Sequence, residues 1–325
     1  MTVKQEMLTL LENLRGKAIS GEETARRLGV SRAAVWKAVS SLREEGHRIG
    51  AETGKGYWLE QDSDIITTQS LLALLPDFDP ARLTVLQETD STNTVAKKLA
   101  QQGAPAGSFV IASRQTGGKG RRGRSFFSPE GGIYLSVLLR PQMSAEESIR
   151  ITTAAAVMTC RAIEEICGIS PAIKWVNDLY YQGKKVCGIL TEASMDLETK
   201  LPEYVIAGIG VNLKAPKEGY PPELSSIAGA LFEQCPPEIT RSRLAAAMIR
   251  RLSRLEEECR GEEMLADYRR RCPLAGKTVE VLRQPPRRAK VLSITPQCGL
   301  LVQYDSGETE ELSSGEVSID PACMR

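Results

Sequence analysis

The chain has 325 residues, enough for two or three domains; its 42 Lys and Arg balance 41 Asp and Glu, and the net charge of +1 excludes a protein that binds nucleic acid through its overall charge. It has no uncharged apolar run near the roughly 18 residues that a membrane helix needs and no apolar signal region, so we expect a cytoplasmic protein without a membrane partner. Eight cysteines without a C-x-x-C pair and a single histidine, His47, argue against a disulfide framework, Ser-His-Asp or Cys-His catalysis and a His-rich zinc site.

The first 60 residues predict three helices followed by a β-hairpin. An apolar face over 7–14 indicates a helix that stops at Gly16. A capping box over 20–23 opens a second helix, and the third helix spans 32–45. A strand, a glycine turn around Lys55 and a second strand follow. This order is typical of a winged helix-turn-helix, in which the third helix enters a major groove and the wing touches phosphates.

The predicted DNA-binding groups of this unit lie on the third helix and the wing. The unit has ten Lys and Arg against eight Glu, or +2, which is weak for DNA binding, so two copies would have to pair on one site. The alternative is a winged helix used only for protein contacts. The candidate DNA-binding residues are Ser31, Arg32, Trp36, Lys37 and Lys55.

The second domain is predicted to begin near Leu83, after a connector with one helix over 68–75. Its first strand leads into Asp90-Ser-Thr-Asn93, which opens a helix. Polar residues at a helix start usually only cap it. They can also bond a small polar head group beside the helix dipole.

A basic glycine-rich loop, Gln115–Arg124, follows the apolar strand over 108–113. It holds four glycines and four cations in ten residues, which favours an anion-binding loop over a passive surface loop. It also spells G-x-G-x-x-G, but the turn residues over 125–132 do not predict the helix that a dinucleotide fingerprint requires. With no histidine nearby, its chemistry must rest on positioning and charge, as in nucleotidyl transfer.

The rest of the second domain predicts an α+β fold, with a mixed, largely antiparallel sheet and helices on one side. One predicted strand, 172–181, carries polar groups that a buried strand should not have, and a hairpin turn follows at 183–185. The other predicted strands are 133–139, 186–192 and 204–213, and the predicted helices are 148–166 and 244–268.

The pattern changes again after Cys272. Short strands separated by turns are predicted over 278–283, 288–294, 300–304 and 308–316. They predict a small SH3-like β-barrel.

Three stretches carry a resemblance to a known family: Ser91-Thr-Asn93, Gln115–Arg124, and Lys174-Trp-Val-Asn-Asp178 with Lys185–Glu192. In this order, between a winged helix and a small β-barrel, the chain resembles bifunctional biotin–protein ligases that also repress the biotin operon. The resemblance implies a class II synthetase-like catalytic domain. It also implies three domains: a winged helix-turn-helix over 1–62, a catalytic domain over 63–270 and an SH3-like barrel over 271–325.

The resemblance also implies roles for individual residues. Those expected to bind biotin are Ser91, Thr92, Asn93, Gln115, Lys119, Gly120, Arg121, Lys185 and Gly188. Those expected to bind ATP or the adenylate are Arg122, Arg124, Asn177 and Asn212. The expected catalytic residues are Lys185, Arg121 and Asp178, and Asp178 is also expected to hold Mg²⁺.

The implied reaction has two steps. Biotin and ATP give biotinyl-5′-AMP, which then acylates a lysine of the biotin carboxyl carrier protein of acetyl-CoA carboxylase. Cations such as Lys185 and Arg121 suit this chemistry because it brings two anions together. With the adenylate bound, the chain is expected to form a homodimer on biotin-operator DNA, which makes biotin both substrate and co-repressor precursor. The alternatives are a ligase whose winged helix does not bind DNA, and a ligand-sensing DNA-binding regulator without ligase activity.

Overall fold

The computed structural model describes residues 2–144, 146–196, 198–199, 201–313 and 317–319. Within these ranges the chain forms a two-stranded, a seven-stranded and a five-stranded β-sheet. No helix in them is long and apolar enough to cross a membrane. Cys323 and the end of the last predicted strand, 314–316, lie outside the described residues.

The first unit is a winged helix-turn-helix, as predicted. Each of its three helices begins at a hydroxyl residue, Thr2, Ser20 or Ser31, whose side chain accepts a hydrogen bond from a backbone N–H of the first turn. Such caps satisfy N–H groups that have no partner inside the helix. The unit has a hydrophobic core of its own. Its elements are α1 (Val3–Asn13), α2 (Gly21–Leu28), α3 (Arg32–Glu44), β1 (Ile49–Glu52) and β2 (Gly56–Leu59).

The central sheet is mixed and largely antiparallel, which confirms the prediction. Its strands are β3 (Leu83–Thr89), β4 (Ser108–Gln115), β5 (Ile133–Leu139), β6 (Ala172–Lys174), β7 (Asp178–Tyr181), β8 (Lys184–Met195) and β9 (Pro202–Val211). They lie in the order β3-β4-β5-β9-β8-β7-β6. The β3–β4 pair is parallel, and the other five pairs are antiparallel.

Helices cover both faces of this sheet, so the prediction of helices on one side was wrong. The helices after the winged helix are α4 (Thr68–Leu72), α5 (Thr92–Gln101), α6 (Ile149–Cys167), α7 (Pro222–Ser225), α8 (Arg241–Leu252), α9 (Leu255–Glu258) and α10 (Glu262–Arg271). On β4, Val110 packs into the cluster under α5, while Phe109 and Ile111 belong to the main core with α6 and α8. Alternate residues of a strand face opposite sides, so two covered faces explain its continuous apolar run.

The predicted strand over 172–181 is a hairpin. Strands β6 and β7 pair through Lys174 and Asp178, and Trp175, Val176 and Asn177 form the turn between them. The polar groups that did not suit a buried strand therefore lie at a turn.

Two helix predictions were too long. Helix α4 ends at Leu72 rather than at residue 75. The helix predicted over 244–268 is divided into α8, α9 and α10, with Gly261 capping α10 in an extended conformation. Buried Leu252 and Leu255 lie on either side of the first break. The helical spacing of buried apolar residues therefore continues from α8 into α9, and this spacing alone does not show where the helix is interrupted.

The third unit is a five-stranded antiparallel sheet. Its strands are β10 (Thr278–Val281), β11 (Arg287–Ile294), β12 (Leu300–Tyr304), β13 (Thr309–Leu312) and β14 (Val317–Ser318), in the order β13-β12-β11-β10-β14. Its apolar residues join the main core of the central domain. Arg269 of α10 also donates to the Ile294 carbonyl at 2.7 Å. The third unit is therefore packed directly against the second.

Candidate active site

One cleft of about 460 Å³ brings together most of the residues predicted to bind ligand. It lies where the start of α5, the basic loop after β4 and the glycine-containing parts of β8 and β9 converge. The predicted residues that line it are Ser91, Thr92, Asn93, Gln115, Lys119, Gly120, Arg121, Arg124, Asn177, Asp178, Lys185 and Gly188. Arg122 and Asn212 do not line it.

The start of α5 presents hydroxyl and amide groups to the cleft. Ser91 occupies the N-cap position, yet its side chain makes no capping bond. The side chain of Gln115 replaces it: its Oε1 accepts from the backbone N–H of Thr92 at 2.8 Å and from the Thr92 hydroxyl at 3.1 Å. Gln115 Nε2 donates to Ser128 Oγ at 2.9 Å. Gln115 therefore links α5 to the segment that follows the basic loop. The Ser91 hydroxyl takes no part in the cap.

Asn93 is bonded mainly within the protein. Its Nδ2 donates to the Glu192 carboxylate at 2.7 Å, and its Oδ1 lies 2.6 Å from the hydroxyl of Ser136. The same hydroxyl lies 2.7 Å from Thr92 Oγ1. Glu192 and Ser136 are thus supporting residues that sequence reasoning missed, because they meet Asn93 from strands 99 and 43 residues away, respectively.

Glycines on β8 and β9 form the floor of the cleft. A Cβ at Gly208 would lie 2.1 Å from Asn93 Oδ1, and one at Gly210 would lie 2.4 Å from the ring of Phe126. A Cβ at Gly188 would meet the same ring at 2.9 Å. The alternating glycines of β9 are the sequence signal for this close approach, although the signal does not show that Phe126 is the residue that approaches.

The basic loop folds back on itself. Lys119 pairs with Ser125, and the Gly120 N–H donates to the Arg124 carbonyl at 2.7 Å. Arg122 has left-handed backbone with φ +55°, and it does not line the cleft. The loop contains only a single 3-10 turn, Arg121–Gly123, and the next strand or α-helix is β5, which agrees with rejecting the dinucleotide fingerprint.

Opposite charges meet beside this loop. Lys185 Nζ lies 2.7 Å from Asp178 Oδ1 across the β7–β8 hairpin. Arg121 Nη1 donates to Asn177 Oδ1 at 3.2 Å, and Asn177 Nδ2 donates to the Ile189 carbonyl at 2.9 Å. Two cations therefore stand on the same side of the cleft, held by neutral and acidic partners that an anionic ligand can replace.

Asn212 supports the cleft from behind. Its Nδ2 donates to the Gly229 carbonyl at 2.9 Å, and the Gly229 N–H donates to the Lys185 carbonyl at 2.9 Å. The Lys185 N–H donates in turn to the carbonyl of Ile227, whose side chain is 51% exposed and lines the cleft. Further lining residues that the sequence did not reveal come from the third unit: Leu282, Val317, Ser318 and Ile319.

The predicted DNA-binding residues lie on the outside of the first unit. Trp36 is 64% exposed near the middle of α3. Arg32 forms an ion pair with Glu22, and Lys55 pairs with Glu52 at 2.7 Å. Lys37 is exposed. The Ser31 side chain caps α3 by accepting from the Ala34 N–H.

Three family models match the chain in order: an HTH domain over residues 3–58, the biotin/lipoate A/B protein ligase family over 85–212 and a biotin protein ligase C-terminal domain over 275–320. The bifunctional ligase/repressor BirA of Bacillus subtilis is 35% identical over 74% of this chain and 74% of its own. That of Escherichia coli K12 is 30% identical over 82% and 80%. The biotin protein ligase of Aquifex aeolicus, solved with biotin and ATP, is 28% identical with a TM-score of 0.60, covering 73% of this chain and 97% of that one.

Proposed function

The chain belongs to the family of bifunctional biotin protein ligases and repressors, and on that premise we propose that its cleft is where biotin and ATP react to give biotinyl-5′-AMP and pyrophosphate. The enzyme is a biotin–[acetyl-CoA-carboxylase] ligase, and biotin and ATP are its substrates. Through its winged helix it is also a DNA-binding repressor. The observation that carries the assignment is the convergence of twelve motif residues on one cleft.

In the first step a biotin carboxylate oxygen attacks the α-phosphorus of ATP. A new O–P bond forms, the bond between the α-phosphorus and the bridging oxygen breaks, and pyrophosphate leaves. Lys185 and Arg121 stand where they can screen the two approaching anions and stabilise charge on the α-phosphate. In the second step a neutral lysine amine of the carrier protein attacks the acyl carbonyl. An amide bond forms, the acyl C–O bond breaks, AMP leaves with the electron pair, and the nitrogen loses one proton to solvent. Holding the reactants in line supplies much of the remaining rate.

The hydroxyl and amide groups at the start of α5 suit the ring head of biotin. The urea of that ring offers two N–H donors and one carbonyl acceptor, and Ser91, Thr92 and Gln115 offer both kinds of partner. We propose that these three contact the ring directly and that Asn93 orders the group from behind. Lys119, Gly120, Gly188 and Arg124 line the same cleft, and we propose that Arg124 serves the adenylate end.

We propose Asp178 as the protein group that holds Mg²⁺. Among the described residues no cluster of three or more His, Cys, Asp or Glu could hold a metal alone. A single carboxylate fits Mg²⁺, which usually takes one or two carboxylates together with substrate phosphates and waters. The ion, when bound, neutralises charge on the ATP phosphates.

Adenine needs an apolar surface, and no Trp follows Asn212 to supply it. We propose that Ile227 does so, since its exposed side chain lines the cleft one hydrogen bond away from Lys185. Arg122 and Asn212 then act at the border of the nucleotide site rather than within it.

The partners are a biotin carboxyl carrier protein and operator DNA. We further propose a homodimer that forms when the adenylate is bound. Strand β7 pairs with β8 only as far as Gly188, so among the described residues the later part of β8 has a strand partner on one side alone. An open strand edge can pair with another chain. A dimer would also bring two winged helices to the DNA, which doubles the net charge of +2 that one winged helix carries and strengthens binding to phosphates.

We propose domain limits of 1–62, 63–270 and 271–325. The separate core of the winged helix supports the first limit. The second limit lies where α10 ends and the strands of the third sheet begin. The central domain and the third sheet nevertheless share one hydrophobic core.

Transfer of biotin by the purified protein tests the ligase assignment. The protein is mixed with biotin, ATP, Mg²⁺ and a biotin carboxyl carrier domain, and the carrier's mass is followed. We expect one biotinyl group per acceptor lysine, only when both biotin and ATP are present. A carrier that stays unmodified would leave the regulator without ligase activity as the better account.

A further inference from the structure

The turn between β6 and β7 carries the groups assigned to the nucleotide side of the cleft. It consists of Trp175, Val176 and Asn177, and the last paired residues around it are Lys174 and Asp178. Because the ladder ends at that pair, the position of the turn depends on contacts with other parts of the chain.

The cleft side of the turn is held by groups of the site itself. Asn177 is bonded to Arg121 and to the Ile189 carbonyl, and Asp178 pairs with Lys185. An incoming anion competes for Arg121 and Lys185. The two contacts with these cations can be lost when the ligand binds, whereas the bonds that join Asn177 to Ile189 remain.

The other side of the turn is held by residues outside the cleft. The Tyr268 hydroxyl donates to the Val176 carbonyl at 3.2 Å, and Trp175 Nε1 donates to the Cys298 carbonyl of the third unit at 3.0 Å. Trp175 and Tyr268 are 4% and 1% exposed. Water therefore cannot readily replace a partner that is removed, and a buried carbonyl left alone is costly.

Tyr268 stands on a helix that is itself fixed at several points. Its neighbours Asp267 and Arg271 form ion pairs with Arg161 and Glu164 of α6, and Arg269 bonds to the third sheet. Burial raises the pKa of Tyr268 well above its ordinary value, so the hydroxyl keeps the proton that it donates.

We propose that Tyr268 is a positioning residue for the adenylation step, acting through Val176 to hold Asn177 toward ATP. The inference rests on the proposed function of the cleft. Tyr268 does not line the cleft, and its effect reaches the nucleotide side only, because the groups facing the biotin ring lie on α5 and β4. Small displacements of positioned groups carry large kinetic costs.

The test is the conservative variant Tyr268→Phe, which removes one oxygen and keeps the ring. We expect the KM for ATP in pyrophosphate release to rise roughly five- to ten-fold, in line with the loss of one buried hydrogen bond, while the Kd for biotin from calorimetry stays within about two-fold. The matched control is Tyr304→Phe, which removes another hydroxyl from a buried tyrosine, one that bonds Glu310 in the third sheet. The control should leave both constants unchanged.

A double-mutant cycle separates positioning from general loosening of the fold. If Tyr268 acts through the turn, Tyr268→Phe has less than about a two-fold effect on the KM for ATP once Asn177→Ala has removed the positioned group. Equal rises in the constants for biotin and ATP, or effects that add with Asn177→Ala, would overturn the proposal. Wild-type protein that releases no pyrophosphate would refute the proposed function itself. An active wild type beside an unaffected Tyr268→Phe refutes only the positioning role.

Discussion

The cleft and the recognition face of the winged helix use polar side chains in opposite ways. The recognition face is the exposed side of α3 and the wing, with Arg32, Trp36, Lys37 and Lys55. In the cleft, Thr92 and Asn93 are about 4% and 5% exposed and belong to one continuous hydrogen-bond network. On the recognition face, Arg32 forms an ion pair with Glu22 in which both side chains are more than two-thirds exposed.

The cleft is therefore a preformed site, whereas the recognition face is a surface whose side chains can rearrange around a ligand. Buried polar groups must be satisfied in one arrangement, so the cleft has little freedom and its shape selects the ligand. Exposed ion pairs contribute only about 0–1 kcal/mol, so DNA phosphates can take over Arg32 and Lys55 at small cost. Substitutions should therefore have large and local effects in the cleft and small, additive ones on the recognition face.

The largest expected effect comes from Lys185→Ala. Removing the cation beside the α-phosphate should slow pyrophosphate release by about three orders of magnitude, while biotin binding remains detectable by calorimetry. Lys97→Ala, on the exposed side of α5, serves as the charge-matched control and should keep wild-type activity. Pyrophosphate release that survives in Lys185→Ala would remove the catalytic assignment of this lysine.

Two glycine substitutions compare crowding in the cleft with crowding in the winged helix. In Gly208→Ala the new Cβ would lie 2.1 Å from Asn93 Oδ1, so Asn93 must shift and overpacking should cost about 1–3 kcal/mol in biotin affinity or stability. In Gly21→Ala, at the start of α2, the nearest atom is 3.6 Å away, and the change should be neutral or stabilising by up to about 1 kcal/mol. Calorimetry with biotin and thermal unfolding of both variants measure this. If Gly208→Ala loses no more biotin affinity or thermal stability than Gly21→Ala, the cleft is not closely packed around Asn93.

Lys37→Ala should have a smaller effect, confined to DNA. Loss of one phosphate contact should weaken binding to all sequences alike and lower the salt slope of binding by about one per contact. Biotin transfer should stay unchanged, because Lys37 lies far from the cleft in the chain and outside its lining. Gel shifts at several salt concentrations check the slope, and a change in transfer activity would contradict the separation of the two regions.

The smallest effect concerns His47, buried in the winged helix with no hydrogen-bond partner for Nε2 among the described residues. Burial lowers its pKa below the usual 6.5, against an opposing contribution from Glu45. The unfolded chain therefore takes up the proton first, and stability present above pH 6.5 is lost as the pH falls further. Thermal unfolding of the winged helix should shift to lower temperature between about pH 7 and about pH 5.5, and His47→Leu should flatten that shift. An unchanged pH profile in His47→Leu would show that other groups cause the loss.

The sequence predicted the features that depend on local patterns and missed those that depend on contacts between distant segments. The winged helix and the lining residues Ser91, Gln115 and Lys185 were predictable because caps, glycines and cations form local patterns. The contacts of Asn93 with Glu192, and of Tyr268 with the turn at Val176, join segments about 90 or more residues apart. No local pattern indicates such contacts. The breaks in α8–α10 and the second covered face of the sheet were missed for the same reason, since apolar periodicity shows which residues are buried and not what covers them.

The most direct test of the account asks whether the ligand made in the cleft controls the recognition face. Gel shifts of biotin-operator DNA are run with the wild-type protein alone, with biotin, with ATP, and with both. The account predicts a clear rise in DNA affinity only when biotin and ATP are both present, with no rise in Lys185→Ala under the same conditions. Equal DNA affinity of the wild type in all four mixtures would contradict it.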